Sequence, residues 1–597
     1  MAEEASTQPR IEYARRAEAR RAEAGRRMQR FRTVGVVRLA ALVTGLVILW
    51  LVIKGLALWW WLLVPAAVFL VLALVQDRIT RARRRCERAA ALYDQGLARL
   101  DDHWAGMGST GKRFIEATHP YAEDLDLFGH GSLFELLSRA RTRIGEDTLA
   151  QWLLTPAAPE VVRERQAAVA ELRPRLDLRE DLALLGEGVR SGEDAKALSA
   201  WVAAPAWPIA RSTRITTIGL ALVAFITLVL WFTGFGGLPF LVAFLLGRIF
   251  AFRLRTRVNN VISAVDGPGR DLALLSQVLR RLEAESFSSA HLVELRAALD
   301  VEGMAPSRQI ARLNGLINLL DARRNMIFAP FATLLLWPEQ LAFEIEGWRQ
   351  RAGAAVDRWL AAVGEFEALS SLASYSYERP ENPFPEVLAG ETCFKGAGLG
   401  HPLIPASRNV RTDLRLCDEL RVLIVSGSNM SGKSTLLRTV GINAVLAMAG
   451  APVCARSLRL SPLKVGASIR IQDSLQAGAS RFYAEITRLR QIVELTQSGL
   501  PVLFLLDEIL HGTNSHDRRI GAEGVVRGLL ERGGLGLVTT HDLALAHIVE
   551  VLAPRAANVH FEDHLEGGKM TFDYLLRPGV IQRSNALELM RSVGLEV

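Results

Sequence analysis

The distribution of apolar residues divides this chain into two greasy hairpins, a set of amphipathic stretches and a terminal alternation of short apolar runs. Val34 to Ile53 is apolar apart from Arg38, and after Lys54-Gly55 the segment Leu56 to Val75 carries no charge. Each leg approaches the ~20 residues that a helix needs to cross a bilayer core. Trp59, Trp60 and Trp61 lie beside the turn, where an aromatic belt would sit. Arg26, Arg27, Arg30 and Arg32 precede the pair; Arg78, Arg81, Arg83, Arg84 and Arg85 follow it. Basic flanks on both sides predict that both face the cytoplasm. A second pair, Ile215 to Phe232 and Leu238 to Phe252, is broken by Gly234-Phe235-Gly236-Gly237 and Pro239. Its second leg is short and holds Arg248, so a tilted or re-entrant segment fits as well. A buried helical hairpin of a soluble protein is the alternative for both pairs. The expectation is a multi-pass protein of the inner (cytoplasmic) membrane, with lipid as one partner.

Between and after the hairpins the apolar period is that of helices. Leu133-Phe134-Glu135-Leu136-Leu137 and Trp152-Leu153-Leu154 fall in one helical region, and 268–375 reads as several long amphipathic helices punctuated by Pro330 and Pro338. The proline-rich Glu378 to Pro385 marks a break. Beyond it, strand and helix signals alternate as in an α/β domain. Strand candidates are Val422–Val425, Val502–Leu506, Leu535–Thr539 and Val559–Phe561, with Met570–Leu575 returning at an edge. The resulting division is a basic N-terminal helix (1–33), hairpin one (34–76), a first helical region (77–210), hairpin two (215–252), a second helical region (253–377) and a terminal α/β domain (386–597).

Charge and cysteine content add little. A net charge of +8 suits a phosphate-rich partner or an anionic membrane, but much of the arginine flanks the apolar legs. The Arg/Glu/Ala-rich stretch 10–32 is expected to be a solvated helix beside the membrane, with lipid or nucleic-acid binding as the alternative. Mean hydropathy of +0.18 follows from the hairpins. Cys86, Cys393, Cys417 and Cys454 lack metal-ligand spacing and predict reduced thiols without a disulfide framework.

The chemistry concentrates in the last third. Gly427-Ser428-Asn429-Met430-Ser431-Gly432-Lys433-Ser434 follows an apolar strand and opens a helix at Thr435, the setting a phosphate-binding loop requires. Backbone N–H groups and the helix N-terminus would cradle phosphates; Lys433 would neutralise charge and the Ser434 hydroxyl would ligate Mg²⁺. The strand Val502 to Leu506 ends in Asp507-Glu508. Asp507 can hold the Mg²⁺ shell and Glu508 can deprotonate the attacking water. A third strand ends at Thr540-His541, which at the same sheet edge would face the γ-phosphate. The expected cofactors are ATP and Mg²⁺.

These residues together resemble the ATPase domain of the MutS family, relatives of the ABC-type ATPases. The likeness rests on the loop with Asn429-Met430 at its middle, on Asp507-Glu508-Ile509 followed by Gly512-Thr513 and Asp517, and on Thr540-His541. The stretch Gly478 to Thr487 is similar to the one whose serine reaches a partner's γ-phosphate, and Ser480 falls at that position. The resemblance therefore implies a homodimer sandwiching two ATP molecules. His401-Pro402-Leu403 and Asn409-Val410 resemble the family's entry to the domain, near the adenine. Upstream, Ser132 to Gly145, Trp152-Leu153-Leu154 and Arg165-Gln166 resemble the start of its helical core.

The departures are specific. Apolar hairpins stand where the family has its mismatch-reading and connector domains, and Phe114-Ile115-Glu116 matches the reader's Phe-x-Glu by chance only. The second hairpin interrupts the core where the family grips DNA. His511 replaces a frequent arginine, Arg481 a small polar residue, and the sequence ends soon after Leu589-Met590-Arg591-Ser592, short of a longer dimerisation tail. The resemblance implies ATP hydrolysis coupled to DNA binding or mismatch repair; the alternative is a membrane-associated motor or scaffold that does not touch DNA.

Overall fold

The computed structural model describes every residue except Met1, 186–193, Ala206, 266–268, 301–304, Ile327, Ala389, 429–430, 471–480, Gly512, 567–568 and 581–597. Helices form the first two thirds. Ala2–Ile53 and Leu63–Leu100 pack side by side, joined by a turn and a short 3-10 segment at Trp59–Leu62. Arg211–Phe232 and Leu238–Val265 make the second hairpin, held by Ala224 and Ala243 and by Trp231 stacked on Phe240. Among the described residues, three helical spans, Thr7–Ile53, Trp59–Leu100 and Arg211–Phe232, are long and apolar enough to cross a membrane by length and composition; the leg with Arg248 is not one of these three. Their apolar side chains, including Val36, Trp50, Leu70 and Phe225, are exposed.

The spine of the molecule is Trp337–Glu378, a helix of 42 residues. Pro338 sits in its first turn, where a missing N–H costs no hydrogen bond. Trp348, Trp359 and Phe366 are fully buried along it. The sequence reading of the basic N-terminal stretch as a solvated helix holds for one face only: Arg15 and Arg21 are exposed, while the opposite face packs along Leu63–Leu100 and meets the end of this spine at Glu378. Tyr13 and Ala17 are buried, and the Tyr13 hydroxyl donates to Glu378 Oε1 at 3.2 Å. The buried Arg99 guanidinium donates through Nε to Glu378 Oε2 at 2.7 Å and also pairs with Oε1. One aromatic, Tyr13, and two small residues, Ala17 and Ala24, suffice to bury a face that composition alone presents as charged.

The described residues of the last third form two sheets. The strands are β1 (Glu386–Val387), β2 (Phe394–Leu399), β3 (Thr412–Leu416), β4 (Val422–Ser426), β5 (Ser457–Leu460), β6 (Lys464–Ser468), β7 (Val502–Asp507), β8 (Leu535–Thr540), β9 (Ala556–Glu566) and β10 (Lys569–Pro578). A small sheet has the order β1-β5-β2-β3. The main sheet has the order β10-β9-β4-β8-β7-β6, with β6, β7, β8, β4 and β9 parallel and β10 antiparallel at the edge. Strands β4, β7 and β8 are buried on both faces, as parallel strands under helices must be.

The cysteine expectation is also corrected: Cys393 and Cys417 form a disulfide. Cys393 precedes β2 and Cys417 follows β3, and the antiparallel register pairs Phe394 with Leu416. The ladder thus brings together two residues 24 apart in sequence, which spacing could not disclose.

The helical region is tied directly to the sheet. Pro120 accepts from the backbone of Ala467 in β6 at 2.8 Å, and the buried Asp124 carboxylate accepts from the N–H groups of Ile469 and Arg470 at 2.8 and 2.7 Å. Leu125 packs against Gly441 on the helix that follows the phosphate loop. One continuous apolar cluster runs from Trp104 through the spine to Leu505 and Phe561 in the main sheet.

Candidate nucleotide site

Strands β4, β8 and β7 are neighbours, and all three end at one edge of the sheet. In register, Ser426 lies beside Thr540 and Asp507 beside Thr539. The loop after β4 therefore faces the carboxylates after β7 and the histidine after β8, the crevice in which open α/β sheets bind ligands.

The helix Lys433–Ala449 starts at Gly432, whose φ of +97° suits glycine. A Cβ there would stand 3.0 Å from the Tyr574 ring. Tyr574 lies in β10, where the ladder shifts register between Phe572 and Leu576, and its own φ is +56°. Sequence reasoning misses this residue, because a bulge in an edge strand carries no sequence signal that aims its ring at a loop so far upstream in the chain.

Lys433 is buried, and its ammonium donates to the carbonyls of Gly427 and Ser428, each at 2.8 Å. Burial pulls its pKa below that of an ordinary lysine, against the opposing pull of Glu508 and Asp507. The Ser431 hydroxyl donates to Ser428 O at 2.8 Å. The Ser428 hydroxyl is buried with no partner, a polar atom that a phosphate oxygen would satisfy. Thr435 is exposed in the first helical turn. Asn429, Met430 and Ser480 lie outside the described residues.

The Ser434 hydroxyl donates to Asp507 Oδ2 at 2.5 Å, and Thr539 donates to Asp507 Oδ1. This hydroxyl–carboxylate pair is a hard-oxygen donor set of the kind Mg²⁺ takes, usually keeping several of its waters. Glu508 has φ +48°, and its N–H donates to the Thr539 hydroxyl at 3.0 Å. That turn swings its side chain away from Asp507's partners. Glu508 Oε1 lies 3.5 Å from Lys433 Nζ and 3.3 Å from His541 Nδ1. Oε2 lies 3.1 Å from His511 Nε2. Burial raises the Glu508 pKa, but Lys433, His541 and His511 together outweigh it and hold the carboxyl below its usual range.

The sequence marks His511 only as a departure from arginine. Its imidazole stacks on His541 with centroids 4.7 Å apart, so Glu508 is flanked by two imidazoles and one ammonium. The second left-handed residue, Leu510 at φ +60°, folds the chain back so that His511 reaches Glu508. Its N–H is taken by the buried Glu485, and Arg518 Nε donates to its carbonyl at 3.1 Å. His401 is buried too; Leu403 N–H donates to its Nδ1 at 3.3 Å, and Asn409 holds its backbone on both sides. Phe114 is a packing residue, in contact with Phe128 and Phe134.

A mostly parallel sheet with a glycine-rich loop, a buried lysine and an acidic strand end defines a P-loop nucleotide-binding fold. Residues 423–596 match the family model described as MutS domain V. Over 203 residues the chain is 36% identical to the endonuclease MutS2 of Thermus thermophilus, covering 33% of this chain and 25% of that protein. It is 31% identical over 269 residues to the DNA mismatch repair protein MutS 2 of Halobacterium salinarum (43% and 30%), and 30% identical over 247 residues to the DNA mismatch repair protein MutS of a Roseiflexus species (40% and 22%). Residues 423–596 thus carry a MutS domain V, and MutS-family proteins are ATPases. The chain spans between a fifth and a third of the length of these curated relatives.

Proposed function

We propose that this protein is a membrane-anchored ATPase that hydrolyses ATP to ADP and phosphate in a site shared by two chains. The observation that carries the reading is the convergence of Lys433, Ser434–Asp507 and Glu508–His541 at one sheet edge. Lys433 would leave the Gly427 and Ser428 carbonyls to bind phosphate oxygens. Ser434 and Asp507 would hold Mg²⁺, which supplies neutralisation of the phosphate charge. Glu508, kept ionised by its cationic neighbours, accepts a proton from the attacking water. His541 would contact the γ-phosphate, and Ser480 of a second chain would complete the site, as the family resemblance implies. Turnover by purified protein, lost on Glu508→Gln with ATP binding retained, tests the reading.

The exposed apolar legs of Ala2–Ile53, Leu63–Leu100 and Arg211–Phe232 support insertion into the cytoplasmic membrane, with the ATPase domain on the cytoplasmic side. The family resemblance supports DNA as the partner moved by ATP. A second reading is favoured by the apolar tip of the second hairpin, where Phe232 and Phe235 are exposed: the ATPase drives a change at the lipid and leaves DNA alone. Salt-dependent binding of duplex or branched DNA by the detergent-solubilised chain supports the first reading. No DNA binding at low salt, with turnover stimulated by lipid, supports the second.

A further inference from the structure

Glu508, His511 and His541 each offer a ligand atom, and these three atoms lie within 4.8 Å of one another. Two imidazole nitrogens and one carboxylate oxygen form a donor set unlike the hard hydroxyl–carboxylate pair of Ser434 and Asp507. Imidazole nitrogen suits borderline ions such as Zn²⁺, whereas Mg²⁺ prefers oxygen. Glu508 and His511 sit on turns fixed from outside the cluster. Glu508 is held by the Thr539 hydroxyl and carbonyl, at 3.0 and 3.2 Å from its N–H. The turn before His511 is held by Glu485 at Leu510 N–H and by Arg518 at Leu510 O. The cluster is half-buried but open: the His541 side chain is 40% exposed and that of His511 32%. An ion can therefore enter from solvent and keep a water as its fourth ligand, the pattern of three-ligand zinc sites.

We propose that these three residues bind a divalent transition-metal ion of borderline softness, with zinc the natural candidate, when no nucleotide is held. Coordination takes a carboxylate lone pair of Glu508 and one lone pair from each imidazole, with no change in oxidation state. Glu508 would then be withdrawn from the proton acceptance that the ATPase reading assigns to it. Lys433, 3.5 Å from Oε1, opposes the ion, so the favoured approach is from the Oε2 side, where His511 stands. The inference goes beyond the ATPase reading, because binding needs no turnover.

The test uses the full chain in detergent without nucleotide, titrated with Co²⁺ as a visible-spectrum stand-in for zinc. One equivalent is expected to give the ligand-field bands of a low-coordinate nitrogen and oxygen site, which Zn²⁺ then bleaches. His511→Asn and His541→Asn are each expected to weaken binding by at least ~10-fold, since even partners of metal ligands cost that much. Cys86→Ser/Cys454→Ser should bind as the parent does, which removes the two free thiols as the source of the bands. Equal affinity in His511→Asn, loss of the bands in the cysteine variant, or no bands at a cobalt excess would each overturn the proposal. A chain that binds cobalt here yet leaves ATP intact sinks the ATPase reading alone; one that hydrolyses ATP without binding cobalt sinks this one alone.

Discussion

Ser434 and Asp507, 73 residues apart in sequence, are joined by a 2.5 Å hydrogen bond between a helix start and a strand end. This bond ties the start of the helix after the phosphate loop to the acidic edge of the sheet. Replacing Asp507 by Asn keeps the shape and removes the charge. Hydrolysis should then demand far more Mg²⁺, and a Mg²⁺ titration of turnover in the two proteins checks this; an unshifted midpoint removes Asp507 from the metal site.

Glu508→Gln should retain ATP and lower turnover by about 10²–10⁴-fold, the usual worth of a positioned general base. Nucleotide retention is read by filter binding and turnover by phosphate release. Parental turnover would exclude Glu508 as the proton acceptor.

Lys433→Ala should weaken ATP binding by roughly 10–100-fold, from the loss of charge-assisted hydrogen bonds worth about 1.5–3 kcal/mol. It also strips the Gly427 and Ser428 carbonyls of their donor, so the empty protein should lose stability as well. Calorimetry with ATP and a thermal melt without it separate the two effects.

The pH dependence of stability should carry the mark of His401, which burial, with Arg438 nearby, pushes down from 6.5 to about 4. The unfolded chain then binds a proton that the folded chain refuses. The stability the neutral ring contributes is intact above pH 6.5 and is lost as pH falls toward 4. A drop of this size corresponds to roughly 3 kcal/mol at 1.36 kcal/mol per tenfold. His401→Gln should flatten this part of the curve, and denaturation midpoints between pH 7 and 4 decide it.

Removing one partner of the buried Arg99–Glu378 pair should cost about 3–5 kcal/mol, because the remaining charge is stranded. In Arg99→Met the N-terminal helix should become open to protease near Tyr13. Exchanging both residues for apolar ones of similar volume should restore most of the loss.

The three central strands are legible in the sequence because each is an unbroken apolar run that ends in polar residues. Ser426 leads into the loop, Leu506 into Asp507 and Thr540 into His541. Short strands are not legible. Phe394–Leu399 holds Gly396 and Gly398, and Ser457–Leu460 spans only four residues, so neither shows a usable period. The same limit hides the disulfide, the Asp124 anchor and the Tyr574 ring, all of which exist through register or long-range packing. The Glu508–His511 contact is hidden for a local reason: it depends on left-handed backbone at Glu508 and Leu510, which non-glycine residues rarely disclose.

The unbroken apolar cluster from Trp104 to Phe561 has a mechanical corollary. Prying the helical stem from the sheet would open a seam in close-packed side chains, at about 25 cal/mol per Å² of surface wetted. A rotation at the carboxylate edge would therefore have to carry the helices that share this cluster with it as one body.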